Sequence, residues 1–255
     1  MNDAERVHEA MRTMFENLCG VFDDARFERR EGYDFLLFPA VPIPQFNGIW
    51  PLDDTAVPTL ATALEEIEQL GLPASVQVRR GRTPRVEEEA KRLGLTAEEP
   101  IPGMVVRADE LAAPEVDDLE VVRVETADGL AQALAVAATG FGAPPDLFAP
   151  IYMLEVAALD GIAYYLGRVD GRDVSTSTGY TLGDTVGIFN VATPPEHRGR
   201  GYGAALTAQA ALAGFANGVE LAWLGSSAMG LSVYRRLGFR EVETYVLLSR
   251  TAQEA

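Results

Sequence analysis

The stretch Val186-Gly187-Ile188-Phe189-Asn190-Val191-Ala192-Thr193-Pro194-Pro195-Glu196-His197-Arg198-Gly199-Arg200-Gly201-Tyr202-Gly203-Ala204 decides how this chain is read. An apolar run of strand character passes through a proline-containing turn into Arg-Gly-Arg-Gly-Tyr-Gly. An alanine- and leucine-rich helix opens from about Ala204. A glycine-rich turn at a helix start leaves several backbone N–H groups unpaired, and the helix dipole adds partial positive charge there. That is an anion cradle suited to phosphate or diphosphate, and the glycines let a ligand approach the backbone closely. The same residues also serve as a tight strand-to-helix turn. The spacing Gly199, Gly201, Gly203 departs from the Gly-x-Gly-x-x-Gly of dinucleotide folds. A P-loop needs Gly-Lys-Ser/Thr, and the only lysine is Lys91.

Arg198-x-x-Gly201-x-Gly203, placed after Val191–His197, resembles the acetyl-CoA signature of the GCN5-related N-acetyltransferase (GNAT) family. A second segment, Ser227-Ala228-Met229-Gly230-Leu231-Ser232-Val233-Tyr234-Arg235-Arg236-Leu237-Gly238-Phe239, resembles the family's helix carrying an acid tyrosine and ending in Leu-Gly-Phe. The resemblance covers roughly residues 119–250. It implies an α/β fold (an α+β mixed sheet) with helices flanking a central mixed β-sheet. It also implies an acetyl-CoA-dependent N-acetyltransferase, acting by direct attack of a primary amine of an unidentified small molecule or peptide, with acetyl-CoA as co-substrate and no metal.

The same resemblance assigns residues. The pantetheine arm is expected along the strand edge at Asn190, Val191 and Ala192. The diphosphate is expected at Arg198, Gly199, Arg200, Gly201, Tyr202, Gly203 and Ala204, on N–H donors from about Arg200 to Ala205. Backbone donors alone suffice, so the arginines could be surface residues. Ser227 stands where many relatives have asparagine; it could touch the cofactor, though a helix cap is the favoured reading. Tyr234 is the expected acid for the leaving sulfur, since its phenol is a neutral donor at pH 7; packing beside Leu237 is the other reading. The family's base is often a glutamate on or near the fourth strand. No acid lies between Thr185 and Pro195, and Glu196, Glu155, Asp160 and Asp184 have no spacing argument, so the base stays unnamed and a water chain stays open. His197 reads as a solvated loop residue. The resemblance places acceptor contacts near Phe141, Phe148, Tyr152 and Tyr180, which core packing explains equally well. Small amines, amino sugars and peptide amines all stay open.

The 255 residues are 47% hydrophobic, enough for one large or two small domains. No apolar run approaches the ~18 residues of a membrane span, and the N-terminus lacks the basic start and apolar run of a signal peptide. One cysteine, Cys19, excludes an intrachain disulfide, and two histidines, His8 and His197, exclude a multi-histidine metal site. Net charge is −17, with −10 in residues 1–115 and −7 in 116–255. That balance argues against nucleic acid and suits a cationic amine. The expectation is a cytoplasmic protein, monomer or homodimer, without membrane or nucleic-acid partners. A second class stays open: an acyl-CoA-binding regulatory or scaffold protein that has lost catalysis.

An offset of 144 residues superimposes the two halves. Leu237-Gly238-Phe239 falls on Leu93-Gly94-Leu95, and Glu220–Trp223 on Val76–Arg79. The helix at about 201–214 falls on 57–70, where Leu60, Ala63, Leu64, Ile67 and Leu70 have helical spacing. This predicts two GNAT-like units in tandem, 1–113 and 114–255, joined near Ala112–Asp118; one such unit beside an unrelated α+β domain is the alternative. In the first unit Arg198 corresponds to Asp54, Gly201 to Val57, Gly203 to Thr59 and Tyr234 to Ala90. Asp53, Asp54 and Pro58 oppose diphosphate binding, so this unit is expected to be catalytically empty. In the second, strands are expected at 119–124, 162–169, 173–182, 186–192, 220–224 and 244–249, with helices at 126–139, 146–159, from 204, and 228–237.

Overall fold

The computed structural model describes residues 1–251. In chain order the elements are helix α1 (Asp3–Cys19), strands β1 (Arg26–Arg30), β2 (Tyr33–Leu37) and β3 (Asn47–Pro51), helix α2 (Leu60–Glu68), β4 (Ser75–Arg79), α3 (Pro84–Arg92), β5 (Ala97–Val106), β6 (Glu120–Val124), α4 (Ala127–Phe141), the short helices α5 (Pro145–Phe148) and α6 (Leu154–Ala157), β7 (Ile162–Val169), β8 (Arg172–Leu182), β9 (Thr185–Ala192), α7 (Tyr202–Ala216), β10 (Leu221–Gly225), α8 (Leu231–Arg236) and β11 (Arg240–Ser249). No helix among the described residues is long and apolar enough to cross a membrane.

Two compact units share these elements. One comprises Met1–Met14 and Gly103–Val242; the other comprises Phe15–Pro102 and the described residues from Glu243 onward. This differs from the linear division 1–113 and 114–255, and backbone pairing is the reason. Tyr245 to Ser249 of β11 pair antiparallel with Arg79 to Ser75 of β4, and Val246 and Leu248 are buried with Val76 and Val78. At the other end of the chain, Val7 and Ala10 of α1 bury against Val105, Leu221 and Trp223.

In the unit containing residues 15–102 the strand order is β1-β2-β3-β4-β11. The β3–β4 pair is parallel, Gly48 opposite Ser75 and Ile49 opposite Val76, with α2 as the crossover. A methyl group on Gly48 would collide with Ser75 Oγ and come within 2.9 Å of Ser75 O, so close strand approach explains this glycine. The periodic residues Leu60, Ala63, Leu64 and Ile67 are buried, as their spacing requires, whereas Leu70 lies beyond the helix and is exposed. Helix α2 starts three residues later than expected because Asp54–Thr59, with Pro58 inside, form a 3-10 turn. Asp53 accepts from Thr55 N–H at 2.8 Å. Asp54 Oδ1 accepts from the N–H groups of Arg85 and Val86, at 3.1 and 3.2 Å, which open α3. The donors of that helix start are already met by a carboxylate of the chain itself.

In the unit containing residues 103–242 the order is β5-β10-β9-β8-β7-β6. The β9–β10 pair is parallel with α7 as crossover; the other pairs are antiparallel. Each unit thus contains a parallel strand–helix–strand crossover followed by a second helix and Leu-Gly-apolar. Asp170 and Gly171, at φ 50° and 74°, turn the β7–β8 hairpin. Leu206, Ala210 and Ala211 of α7 pack with Tyr165, Ile188 and Leu224. The N-terminus of α1 is held by Asp3, which pairs with Arg107 at 3.0 Å and with Arg240.

Two expected helices are corrected. The helix over 146–159 is α5, a 3-10 turn at Ala149–Tyr152, and α6. Pro150 supplies no N–H to continue a helix, and Met153 is extended. The tyrosine helix begins at Leu231 rather than Ala228, because Ser227–Gly230 form a separate turn.

Asp54→Ala should cost about 1 kcal/mol, the usual scale for a lost helix-start acceptor. Urea unfolding of the full chain checks this: a lower midpoint with unchanged slope is expected, and an unchanged midpoint would show that water serves those donors equally well.

Candidate active site

The site is built on a gap in the sheet. Strands β9 and β10 pair at Thr185–Leu221, Val186–Ala222 and Gly187–Trp223, and the ladder ends there. Beyond Gly187 the backbone of β9 has no partner on that side among the described residues. Two features drive the separation. First, β9 bulges against β8: Thr178 pairs with Phe189 and Thr176 with Ala192, so Ser177 alone faces Asn190 and Val191. Asn190 takes the positive φ of 52° that this extra residue requires, and asparagine tolerates it. Second, the Phe189 ring folds back toward Trp223, edge-on with centroids 5.2 Å apart. Gly187 makes room, since a methyl there would come within 2.6 Å of the Phe189 ring and 2.8 Å of Trp223.

The glycine turn lies at the end of this splayed strand. Gly199 and Gly201 have φ of 76° and 87°, which L side chains rarely adopt. A methyl at Gly199 would meet nothing within 4 Å, and at Gly201 only Val116 Cγ2 at 3.5 Å, so the space in front of them is open. Ala205 N–H bonds Gly201 O at 2.9 Å and is the first donor drawn into α7. It therefore leaves the expected donor set, while the N–H groups of Tyr202, Gly203 and Ala204 remain available. No side chain caps this helix. Gly203 is small for another reason: its methyl would lie 3.2 Å from Thr193 Oγ1.

The two arginines part company. Arg198 donates from Nε to Thr193 O at 3.0 Å and from Nη2 to Gly140 O at 2.6 Å. It straps the C-terminal turn of α4, where the helix dipole favours a cation, to the end of β9. Gly140 is required there, since a methyl would lie 2.9 Å from Ala192 Cβ and 3.0 Å from Thr193 N. Arg200 is exposed beside the open turn. The Tyr202 side chain is buried, its hydroxyl donating to Asp118 at 2.8 Å, so only its backbone faces the turn.

Strand β10 leads from its splayed end through Ser226–Gly230 into α8. The Tyr234 ring lies over Gly230, tilted 6.0 Å from Phe239, and packs on the core that includes Leu224 and Leu237. Burial pushes its phenol up to about 12, which keeps it a protonated donor. Ser227 Oγ accepts from Gly230 N–H at 3.2 Å within the turn before α8; the N-cap of that helix is Gly230 and no side chain caps it, so Ser227 closes the turn rather than capping the helix. Tyr152 is buried beside Tyr164, with ring centroids 5.3 Å apart, and Tyr180 is buried as well; Phe141 is exposed. Asp184 pairs with Arg6 at 2.5 Å, and Glu196 and Glu155 are exposed. No group of three or more metal-ligating side chains occurs among the described residues. A cavity of about 310 Å³ lined by Leu130, Leu154 and Ile162 lies at the edge formed by β6 and β7, away from β9.

Residues 160–241 match the family described as acetyltransferase (GNAT) domain. The chain carries a GNAT acetyltransferase domain. The match contains the bulged strand, the glycine turn and Tyr234. Among solved structures, a GCN5-related N-acetyltransferase from Kribbella flavida shares the fold over 96% of each chain, at 21% identity and TM-score 0.72. One from Sphaerobacter thermophilus shares it over 86% of this chain and 80% of its own, at 18% identity and TM-score 0.65. A tandem GNAT protein from the clavulanic acid biosynthesis pathway covers 100% of this chain and 97% of its own, at 14% identity and TM-score 0.60. The fold of both units is therefore shared with a tandem GNAT protein. No curated protein matches the sequence.

Arg198→Met should destabilise the full chain by about 1 kcal/mol through loss of two partly exposed hydrogen bonds. Arg200→Met should change stability by less than about 0.5 kcal/mol. Thermal unfolding of the two variants side by side checks this, and equal midpoints would remove the strap.

Proposed function

We propose that the GNAT domain transfers an acetyl group from acetyl-CoA to a primary amine by direct attack. The observation that carries this reading is the splay of β9 from β10, with the open donors of Tyr202, Gly203 and Ala204 at its end. An extended amide-bearing arm pairs naturally with an unpartnered strand edge; here that edge is Ile188 to Ala192, including Asn190, Val191 and Ala192. A diphosphate fits the open turn at Gly199 to Ala204, with the exposed Arg200 beside it. The thioester supplies an activated acyl carbon. The amine nitrogen forms the new C–N bond as the C–S bond breaks, and the Tyr234 phenol donates its proton to the departing sulfur. The resulting phenolate is restored by the proton the amine nitrogen loses, directly or through water.

Strand β9 carries no carboxylate between Thr185 and Ala192 to act as base. The amine then enters already neutral, and the pH dependence belongs to the substrate. The expected profile of kcat/KM rises with unit slope up to the pKa of the amine itself, and the fall due to Tyr234 ionisation lies near pH 12. A plateau beginning near pH 7 for an alkylamine would reveal a protein base.

Tyr234→Phe tests the acid. Turnover should fall by about 100-fold, the low end for a general acid, while the dissociation constant of acetyl-CoA stays within about twofold. An unchanged rate would remove Tyr234 from the chemistry. Loss of both rate and binding would make it a structural residue. The alternative, a non-catalytic acyl-CoA-binding regulatory or scaffold protein, predicts acetyl-CoA binding without acetyl transfer to any amine.

The unit containing residues 15–102 is read as catalytically empty. Asp53 accepts from Thr55 N–H at the turn that leads into the crossover helix α2, Asp54 occupies the start of α3, and Ala90, buried in the core, stands where the tyrosine would be.

A further inference from the structure

The splay closes at a point built from two aromatic rings of unequal freedom. Trp223 is buried, and its indole N–H donates to Thr185 Oγ1 at 3.3 Å, which fixes the ring. The Phe189 ring meets it edge-on, and both rings lie so close over Gly187 that even a methyl group there would collide. Phe189 is only half-buried. Both rings pack with Val7 and Ala10 of α1 in one apolar cluster. Neighbouring residues of a strand point to opposite faces, so Ile188 turns the other way, into the core with Leu206 of α7 and Leu224.

Three walls therefore meet where the β9–β10 ladder begins. Ahead are the paired backbones of Gly187 and Trp223. On one face is the core around Ile188, Leu206 and Leu224, each no more than 3% exposed. On the other are the two rings, backed by α1. The arm between the diphosphate and the sulfur of CoA has about thirteen backbone bonds, the length of about four to five extended residues. With the diphosphate at the glycine turn, an arm laid along Ala192 to Ile188 ends against these walls. Whatever the sulfur carries must fit the space they leave, and Phe189 is the half-buried side chain among them.

We propose that Phe189 sets the length of the transferred acyl group and restricts it to acetyl. This rests on the reading of the GNAT domain as an acyl-CoA-dependent transferase, and it names the residue that selects the donor. The observation that carries it is the fold-back of the ring onto Trp223 at the closed end of the splay. A longer acyl chain has to displace the ring or strain the core beside it, and overpacking of that kind is unfavourable. Leucine at this position keeps it apolar and leaves the outer part of the ring's space empty.

Calorimetric titration of the full chain with CoA, acetyl-CoA and butyryl-CoA tests this. The wild-type chain should bind acetyl-CoA at least about tenfold tighter than butyryl-CoA, the scale of a modest overpacking cost. Phe189→Leu should raise the ratio of butyryl-CoA to acetyl-CoA affinity by at least about fivefold. Equal or tighter butyryl-CoA binding by the wild type would overturn the proposal, since in an open channel each extra buried methylene adds about fourfold. An unchanged ratio in the Phe189→Leu chain would overturn it too. So would loss of all binding in that chain with an unchanged circular dichroism spectrum, which would make the ring a prop of the splay. The wild-type comparison needs no variant and decides the matter even where the leucine chain fails to fold. CoA alone reads the other claim. Absent CoA binding would sink the acetyltransferase reading and this inference with it, whereas CoA binding without discrimination between the two thioesters would sink this inference alone.

Discussion

Hydrogen bonding between β9 and β10 stops at Gly187 and Trp223, and the function proposed for the GNAT domain depends on that stop. A backbone strand left unpaired inside a sheet carries a real cost unless another partner satisfies it. Here the bulge at Asn190 and the fold-back of Phe189 hold the gap open, so the unpaired edge is a fixed feature. The glycine turn then places three more unpaired donors at the end of the same strand. The extended, amide-containing ligand with an anionic end that we propose would satisfy both sets at once. Strand β10 leads directly into the turn before α8, the helix that carries Tyr234.

Charge sharpens the contrast between the two units. The chain is acidic throughout, at −17, yet the open turn presents backbone donors and Arg200. In the unit of residues 15–102 the comparable positions are acidic, and the carboxylates do more than repel an anion. Asp54 sits on the N–H groups of Arg85 and Val86, so an intramolecular anion occupies that helix start. At the start of the crossover segment itself Asp53 accepts from Thr55 N–H, whereas no side chain caps α7.

Much of this was legible in the sequence. The apolar periodicity of 60–67 and the Asp-Gly turn at 170–171 placed their elements within a few residues. The Arg-x-x-Gly-x-Gly run located the helix start, and Thr126 caps α4 by accepting from Gly129 N–H at 3.1 Å. Other features needed long-range contacts. The bulge at Asn190 depends on register with β8, which no local pattern encodes. The separate jobs of Arg198 and Arg200 depend on Gly140, some sixty residues away. The compact units depart from the linear division at both ends of the chain, and nothing in β11 alone says that it pairs with β4. The helix expected over 146–159 ignored the missing N–H of Pro150, a local signal that was present.

The central claim is one open acyl-CoA site per chain, and stoichiometry tests it most directly. Calorimetric titration of the full chain with acetyl-CoA should give one site, with binding abolished when Gly201, held at φ 87°, is replaced by valine. Two sites would contradict the self-satisfied reading of Asp53 and Asp54, and undiminished binding in the Gly201→Val chain would place the ligand away from the glycine turn.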